Sequence, residues 1–318
     1  MTGHDRPAAP YGSPAGDPTA LRGLLVVGDV VTDVVARHAE PLAPDTDTAA
    51  RIAVLPGGAG ANVACWAARW GAPWVRLLSR VGADSAGWHR DALVAAGVEP
   101  VLRVDAEHPT AVVIALVDAA AERTLVTDSG AAFRLGPADW DEALLDGVGH
   151  VHLSGYLFFC APGRELAALV SKAARARGLP VSVDPASAGF LRTLGVRRFL
   201  DAVSGTDLLL PNAAEAALLA GADDAERAAV ALSAGGGGRT VVVTLGADGA
   251  LAAVDGEPAG RVSAVPARAV DSTGAGDAFT GGLLAARLAG ADLRAALAAG
   301  CRAGAEAVTL VGGRPGLS

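Results

Sequence analysis

Lysine is almost missing from this chain: Lys172 is the only one in 318 residues. That scarcity excludes several kinds of chemistry. A Walker A loop needs Gly-Lys-Ser/Thr, a protein kinase needs a strand lysine beside its nucleotide, and Schiff-base catalysis needs a buried amine. Lys172 instead falls in Ser171-Lys-Ala-Ala-Arg-Ala-Arg177, the polar end of an amphipathic helical pattern. Cysteine is also sparse. Cys65, Cys160 and Cys301 show no C-x-x-C pairing and read as buried small apolar residues of a reducing cytosol. No apolar run is long enough to cross a bilayer, because Asp29 and Asp33 interrupt the best candidate at 24–36. There is no Gly-x-Ser-x-Gly elbow. A formal charge of −8 argues against nucleic acid or an anionic membrane as partner. The start is rich in Pro, Gly and Ala without an apolar h-region. Residues 1–20 are therefore expected to be a disordered leader on a cytoplasmic protein.

What the chain has in quantity is aliphatic residues: 51% of it is hydrophobic while aromatics supply 4%, enough Val, Leu and Ala for an interior sheet and covering helices. Short apolar runs at 24–27, 74–78, 150–153, 181–183, 208–210 and 241–244 have the character of buried strands. Helical patterns at 61–70, 87–96, 164–177, 213–219, 225–232, 277–289 and 293–308 alternate with them. Asp84-Ser85 is expected to cap the second helix, and Gly235–Gly238 to be a plain loop. The rhythm predicts an α/β fold with a doubly wound, mainly parallel sheet. Two stretches, about 30–55 and 98–128, contain extended pieces and no helix, and predict a small β-sheet lid over the site.

The most informative chemistry lies at Asp271-Ser-Thr-Gly-Ala-Gly-Asp277, a small-residue turn opening a helix. Bare N–H groups at a helix start attract an anion, and a carboxylate placed there is suited to taking a proton from an attacking hydroxyl. An acidic first helical turn accounts for the same residues without function. Gly57-Gly-Ala-Gly-Ala-Asn62 opens the first helix. It lacks the third glycine and the acidic partner of a dinucleotide fingerprint, and suits close approach of a polyhydroxylated ligand, or a capped helix entry. Asp29 and Asp33 follow the first strand, where ligands gather in such sheets, and each is either a hydroxyl acceptor or a cap. Asn212 and Glu215 have capping-box spacing that also suits waters around Mg²⁺. Thr244-Leu-Gly-Ala-Asp-Gly249 is a strand end and turn. His150 and His152 share a strand face and read as satisfied core residues in preference to a metal pair.

Taken in order, Asp33, Gly57-Gly58 through Asn62, Asn212-Ala-Ala-Glu215 and Gly274-Ala-Gly-Asp277 resemble the ribokinase-like, or PfkB, carbohydrate kinases over nearly the whole chain, 21–318. The resemblance implies that Asp277 is the catalytic base and that Gly274, Ala275 and Gly276 form an anion hole. Asp33, Gly58 and Asn62 would hold the sugar. Asn212 and Glu215 would serve Mg²⁺ and phosphate, Thr244, Gly246 and Gly249 the ATP loop, and Cys301 the adenine edge. Asp271, with carbonyls of Thr273, Ala307, Leu310 and Gly312, would hold a monovalent cation such as K⁺. Lid edges in this family pair into homodimers. Ala59 and Val31 stand where ribokinases carry Lys and Asn, and Gly130-Ala-Ala132 lacks a further Asn; Arg123, on a lid segment, is a solvated residue or a contact for an acidic or phosphorylated sugar. The expected activity is ATP-dependent phosphorylation of a sugar hydroxyl. A nucleoside kinase is the nearer alternative; an NAD-binding oxidoreductase and a catalytically silent sugar sensor stand further off.

Overall fold

Strand β1 (Gly23–Val27) is buried along its whole length, with Leu24 and Val26 turned to one hydrophobic layer and Leu25 and Val27 to the other. A strand covered on both faces must be apolar at every position, which is why it reads as a continuous run. The computed structural model describes residues 22–119, 123–234 and 238–316. The expected leader and the middle of the Gly235–Gly238 loop lie outside these, as does the side chain of Arg123.

Around β1 the chain builds a nine-stranded sheet. From β1 it runs one way through β4 (Val75–Gly82) to β5 (Val98–Asp105). The other way it runs through β8 (Val148–Ser154), β9 (Val181–Asp184), β10 (Leu208–Leu209) and β11 (Thr240–Thr244). These strands pair in parallel, and antiparallel β12 (Ala250–Val254) and β13 (Glu257–Val262) finish one edge. On the Leu24 face pack α1 (Ala59–Arg69), α8 (Ala275–Leu288) and α9 (Leu293–Ala307), through Val63, Leu283 and Leu297. On the Leu25 face pack α3 (Ala161–Ala176), α5 (Val196–Ala202) and α7 (Ala225–Ser233), through Leu166, Phe199 and Ala228.

A second sheet of four strands has the order β3-β2-β6-β7, from β2 (Val31–His38), β3 (Ala50–Gly57), β6 (Ala111–Val117) and β7 (Arg123–Asp128). Its register puts Asp33, Val113 and Thr127 in one row, and that row faces the main cavity. The neighbouring row, Val54, Val34, Ile114 and Val126, points the other way, and Val54, Ile114 and Val126 are exposed. The segment expected as lid from 98 onward divides. Its first strand, β5, pairs in parallel with β4 in the large sheet, and only β6 and β7 join the small one. Capping of α2 (Ala86–Ala95) also differs from expectation. Ser85 makes no side-chain cap bond, and Asp84 accepts from the Thr110 amide (2.9 Å) and hydroxyl (3.2 Å), tying the root of β6 to the main body.

Candidate active site

Everything at the site follows from how α8 begins. Gly274 adopts φ +71°, and a Cβ there would stand 2.5 Å from the Gly313 Cα, so no side chain fits this turn. The helix then starts at Ala275 with Asp277 in its first turn, where the free N–H groups and the helix dipole favour an anion. One turn on, Gly281 lets α1 come against α8; a Cβ would lie 2.8 Å from the Val63 carbonyl oxygen. That contact brings Asn62 of α1 to the first turn of α8, where its Nδ2 donates to Asp277 Oδ2 at 2.8 Å. Burial pushes the Asp277 carboxyl well above the usual range; the Asn62 bond opposes this, while Asp184, Asp29 and Asp33 reinforce it.

Two cavities meet at this turn. The first, of about 350 Å³, lies between the lid and the carboxyl ends of the parallel strands, and Asp33, Gly58, Asn62, Asn212, Glu215 and Asp277 line it. The second, of about 570 Å³, is lined by Gly246, Gly249, Pro266, Phe279, Cys301 and Val308. Thr244, Ser272, Ala275 and Gly276 border both. The first cavity is acidic: Asp29, Asp33, Asp184, Glu215 and Asp277 line it, with no Lys, Arg or His in its lining among the described residues. Burial lifts Asp33 to about 6, with Arg314 opposing and Asp29 and Asp271 adding to the rise. Asp184 is lifted to about 6 chiefly by burial, and Glu215 to about 8 by burial and then by Asp184.

At several residues the structure separates the alternatives that the sequence left open. Asp29 is a cap: its carboxylate accepts from the amides of Ala59 (2.8 Å) and Gly60 (3.2 Å) and from Ser154 Oγ (2.8 Å), closing the start of a helix whose own N-cap, Gly58, has no side chain. The glycines before Asn62 serve chain-to-chain approach. A Cβ on Gly60 would stand 2.8 Å from the Gly28 Cα, and one on Gly58 2.7 Å from the Asp29 carbonyl oxygen. Asn212 and Glu215 form both bonds of the capping box, at 2.9 and 3.0 Å, and line the acceptor side as well. Asp271 accepts from the Thr273 amide and hydroxyl and from the Gly312 amide, with Arg37 Nη2 at 3.8 Å, and its own amide donates to the Val308 carbonyl at 3.2 Å. His150 and His152 are core residues sharing the Ser182 hydroxyl, and burial pushes both down to about 3.

Sequence reasoning missed Asp184, Tyr156 and Phe133, all lining the first cavity. Asp184 had a signal, because it ends a parallel strand on the side where ligands gather. The aromatics had none, since they come from the segments after β7 and β8, which carry no motif.

An α/β body under a β-sheet lid, with an acidic chamber and a second chamber meeting at a helix N-terminus, defines the class: a phosphotransferase acting on a small molecule. The chain belongs to the pfkB family of carbohydrate kinases, whose sequence profile matches residues 22–318. It is similar to a fructokinase of Klebsiella pneumoniae, 33% identical over 82% of this chain and 83% of the relative. A nucleoside kinase of Methanothermobacter thermautotrophicus is 30% identical over 86% of this chain and 85% of the relative. Among solved structures, a ribokinase II candidate from E. coli in complex with ATP and Mg²⁺ superposes with a TM-score of 0.81, at 27% identity over 94% of this chain and 96% of that one. Among the described residues no helix is long and apolar enough to cross a membrane.

Proposed function

We propose that the protein transfers the γ-phosphoryl group of ATP to a hydroxyl of a neutral carbohydrate, with Asp277 as the base. The observation that carries this reading is the position of Asp277, in the first turn of α8 where the two cavities meet. Its raised proton affinity equips it to accept the acceptor's hydroxyl proton, and Asn62 fixes the direction of the receiving oxygen. Amides of Gly274, Ala275 and Gly276 serve as the anion hole, facing the charge that builds on the phosphoryl oxygens. Asp33, Gly58 and Asn62 hold the acceptor, while Thr244, Gly246, Gly249 and Cys301 border the nucleotide. The lid closes over the acceptor and excludes water.

Glu215, with Asp184 beside it, offers hard oxygen donors crowded without a lining cation, which fits Mg²⁺. No group of three or more His, Cys, Asp or Glu among the described residues could hold a metal alone, in keeping with an ion shared with phosphates. When bound, Mg²⁺ supplies charge neutralisation at the nucleotide phosphates. Asp271, which accepts hydrogen bonds from Thr273 and Gly312, would hold a monovalent cation together with the carbonyls of Thr273, Ala307, Leu310 and Gly312. Replacing K⁺ by choline is expected to lower the rate, and an unchanged rate removes this cation from the account.

Among the described residues the lining carries five carboxylates and no basic side chain, which favours a neutral acceptor over sugar phosphates and acidic sugars. A nucleoside remains a second reading, favoured by a specific feature. Val35, Val113, Leu125, Phe133 and Tyr156 give the cavity an apolar side, and Tyr156 belongs to an aromatic cluster with Phe159 and Phe190 that suits a planar base. The exposed Val54, Ile114 and Val126 row is the face on which a second copy would pair, which light scattering tests directly. The functional reading is tested by ADP release from MgATP over neutral sugars, sugar phosphates, acidic sugars and nucleosides. Turnover is expected with a neutral acceptor; release with none of them, or only with an anionic sugar, overturns it.

A further inference from the structure

The acidic acceptor cavity has a cation behind its wall. Arg314 comes from the C-terminal segment, which is pinned on both sides. The Gly312 amide donates to Asp271 Oδ2 at 3.1 Å, and Trp66 Nε1 donates to the Gly313 carbonyl at 2.9 Å. From there the Arg314 guanidinium reaches inward and donates through Nη2 to the Gly57 carbonyl at 2.8 Å. Its Nε and Nη1 are buried without a hydrogen-bond partner. A buried guanidinium with unpaired N–H groups is costly to the fold unless opposite charge faces it.

The opposite charge is Asp33. Its carboxylate occupies the side-chain face of Gly57, where a Cβ on that glycine would fall 2.0 Å from Asp33 Oδ2. Arg314 and Asp33 thus meet the same residue, one at its carbonyl and the other at its Cα. Gly57 is the partition between them, and its lack of a side chain is what lets them come so close. Asp33 lines the acceptor cavity, whereas Arg314 does not.

We propose that Arg314 is a positioning residue for the acceptor, holding Asp33 ionised and aimed at the acceptor hydroxyls from behind Gly57. This rests on the reading of Asp33 as an acceptor ligand. The surrounding charges agree with it. Burial raises Asp33 to about 6; Asp29 beyond β1 and Asp271 before α8 push the same way, and Arg314 alone opposes them. Asp277 on α8 feels the Asp33 charge, Cys65 on α1 and His89 on α2 feel that of Arg314, and burial is the leading influence on each of the three. Without the guanidinium charge, Asp33 would take up its proton at a higher pH, and acceptor binding would fail earlier on the acid side.

Arg314→Gln separates the two roles of the side chain, because it keeps a donor for the Gly57 carbonyl and loses the charge. Arg314→Lys keeps the charge. In the Gln variant the acid limb of kcat/KM for the acceptor should move up by about one pH unit, with the loss appearing in the acceptor KM more than in kcat. The Lys variant should keep the wild-type limb. A wild-type limb in Arg314→Gln, or an equal displacement in both variants, overturns the proposal. Should the Gln variant not fold, Asp33→Asn at pH 8 carries the test. Combined with Arg314→Gln, it removes the uncompensated carboxylate and should restore a cooperative melting transition; a double variant that still shows none overturns the proposal. A wild-type protein that phosphorylates no acceptor overturns the functional reading; wild-type turnover with an unmoved limb overturns only the role of Arg314.

Discussion

Aspartates near the site fall into two environments, and their neighbours decide which. Asp29 meets two amides and a hydroxyl, so it is satisfied by the chain and caps α1. Asp33 and Asp277 are short of such donors and face the cavity, so burial raises their proton affinity. The sequence placed Asp29 and Asp33 equally well as sugar ligands, because both follow β1 and nothing local distinguishes them. The difference is made by Ser154, which lies 125 positions away from Asp29 and is invisible to any short pattern. Replacing Asp29 by Ala strands two amides and the Ser154 hydroxyl. The expected loss is about 2 kcal/mol of folding stability in urea titration, and a loss below about 0.5 kcal/mol would contradict the capping role.

At the scale of elements, the central strands and the long helices were legible because their burial is so one-sided. β1 and β11 are nearly continuous apolar runs, β8 is buried at every position, and α1, α8 and α9 follow the helical period. β5 was not, since Val98–Asp105 alternates buried and exposed positions like a lid hairpin while serving as the edge of the large sheet. β13 is mostly exposed and carries Pro258 and Gly260, which hide a strand. The packing of α1 on α8 left no local trace either, though it sets the Asn62–Asp277 bond. Gly281→Ala is expected to push the helices apart by a few tenths of an ångström, since its Cβ meets backbone at 2.8 Å. Turnover should fall while the melting temperature drops by about 4 °C or less; unchanged kcat would mean the α1–α8 spacing does not govern the base.

For the whole molecule, the cluster of buried carboxylates makes the ligand-free protein sensitive to pH. Glu215 rises from 4.5 unfolded to about 8 folded, so between those values the native state holds a proton the unfolded chain has released. Stability from this source is fully present below about 4.5 and disappears as pH climbs through 8. Asp33 and Asp184 act with the same sign at lower pH, up to about 6. The buried His89, His150 and His152 act oppositely below their ordinary value of 6.5, which leaves the range above it to Glu215 and to Asp277, whose carboxyl burial also raises. The melting temperature without ligand should therefore fall from pH 6.5 to pH 8.5, and Glu215→Gln should flatten that fall. An equal fall in both proteins would show that Glu215 is not its source. MgATP should restore stability most at the alkaline end, where the carboxylates are charged.

The carboxylate at the junction of the two chambers decides the account, and single-turnover phosphoryl transfer by Asp277→Asn tests it most directly. The substitution keeps the size of the side chain and an oxygen for Asn62. Transfer should fall by roughly 10²- to 10⁴-fold, with nucleotide affinity by thermal shift close to that of the unaltered protein. Transfer at a near-normal rate, with nucleotide still bound, would contradict the assignment of Asp277 as the base.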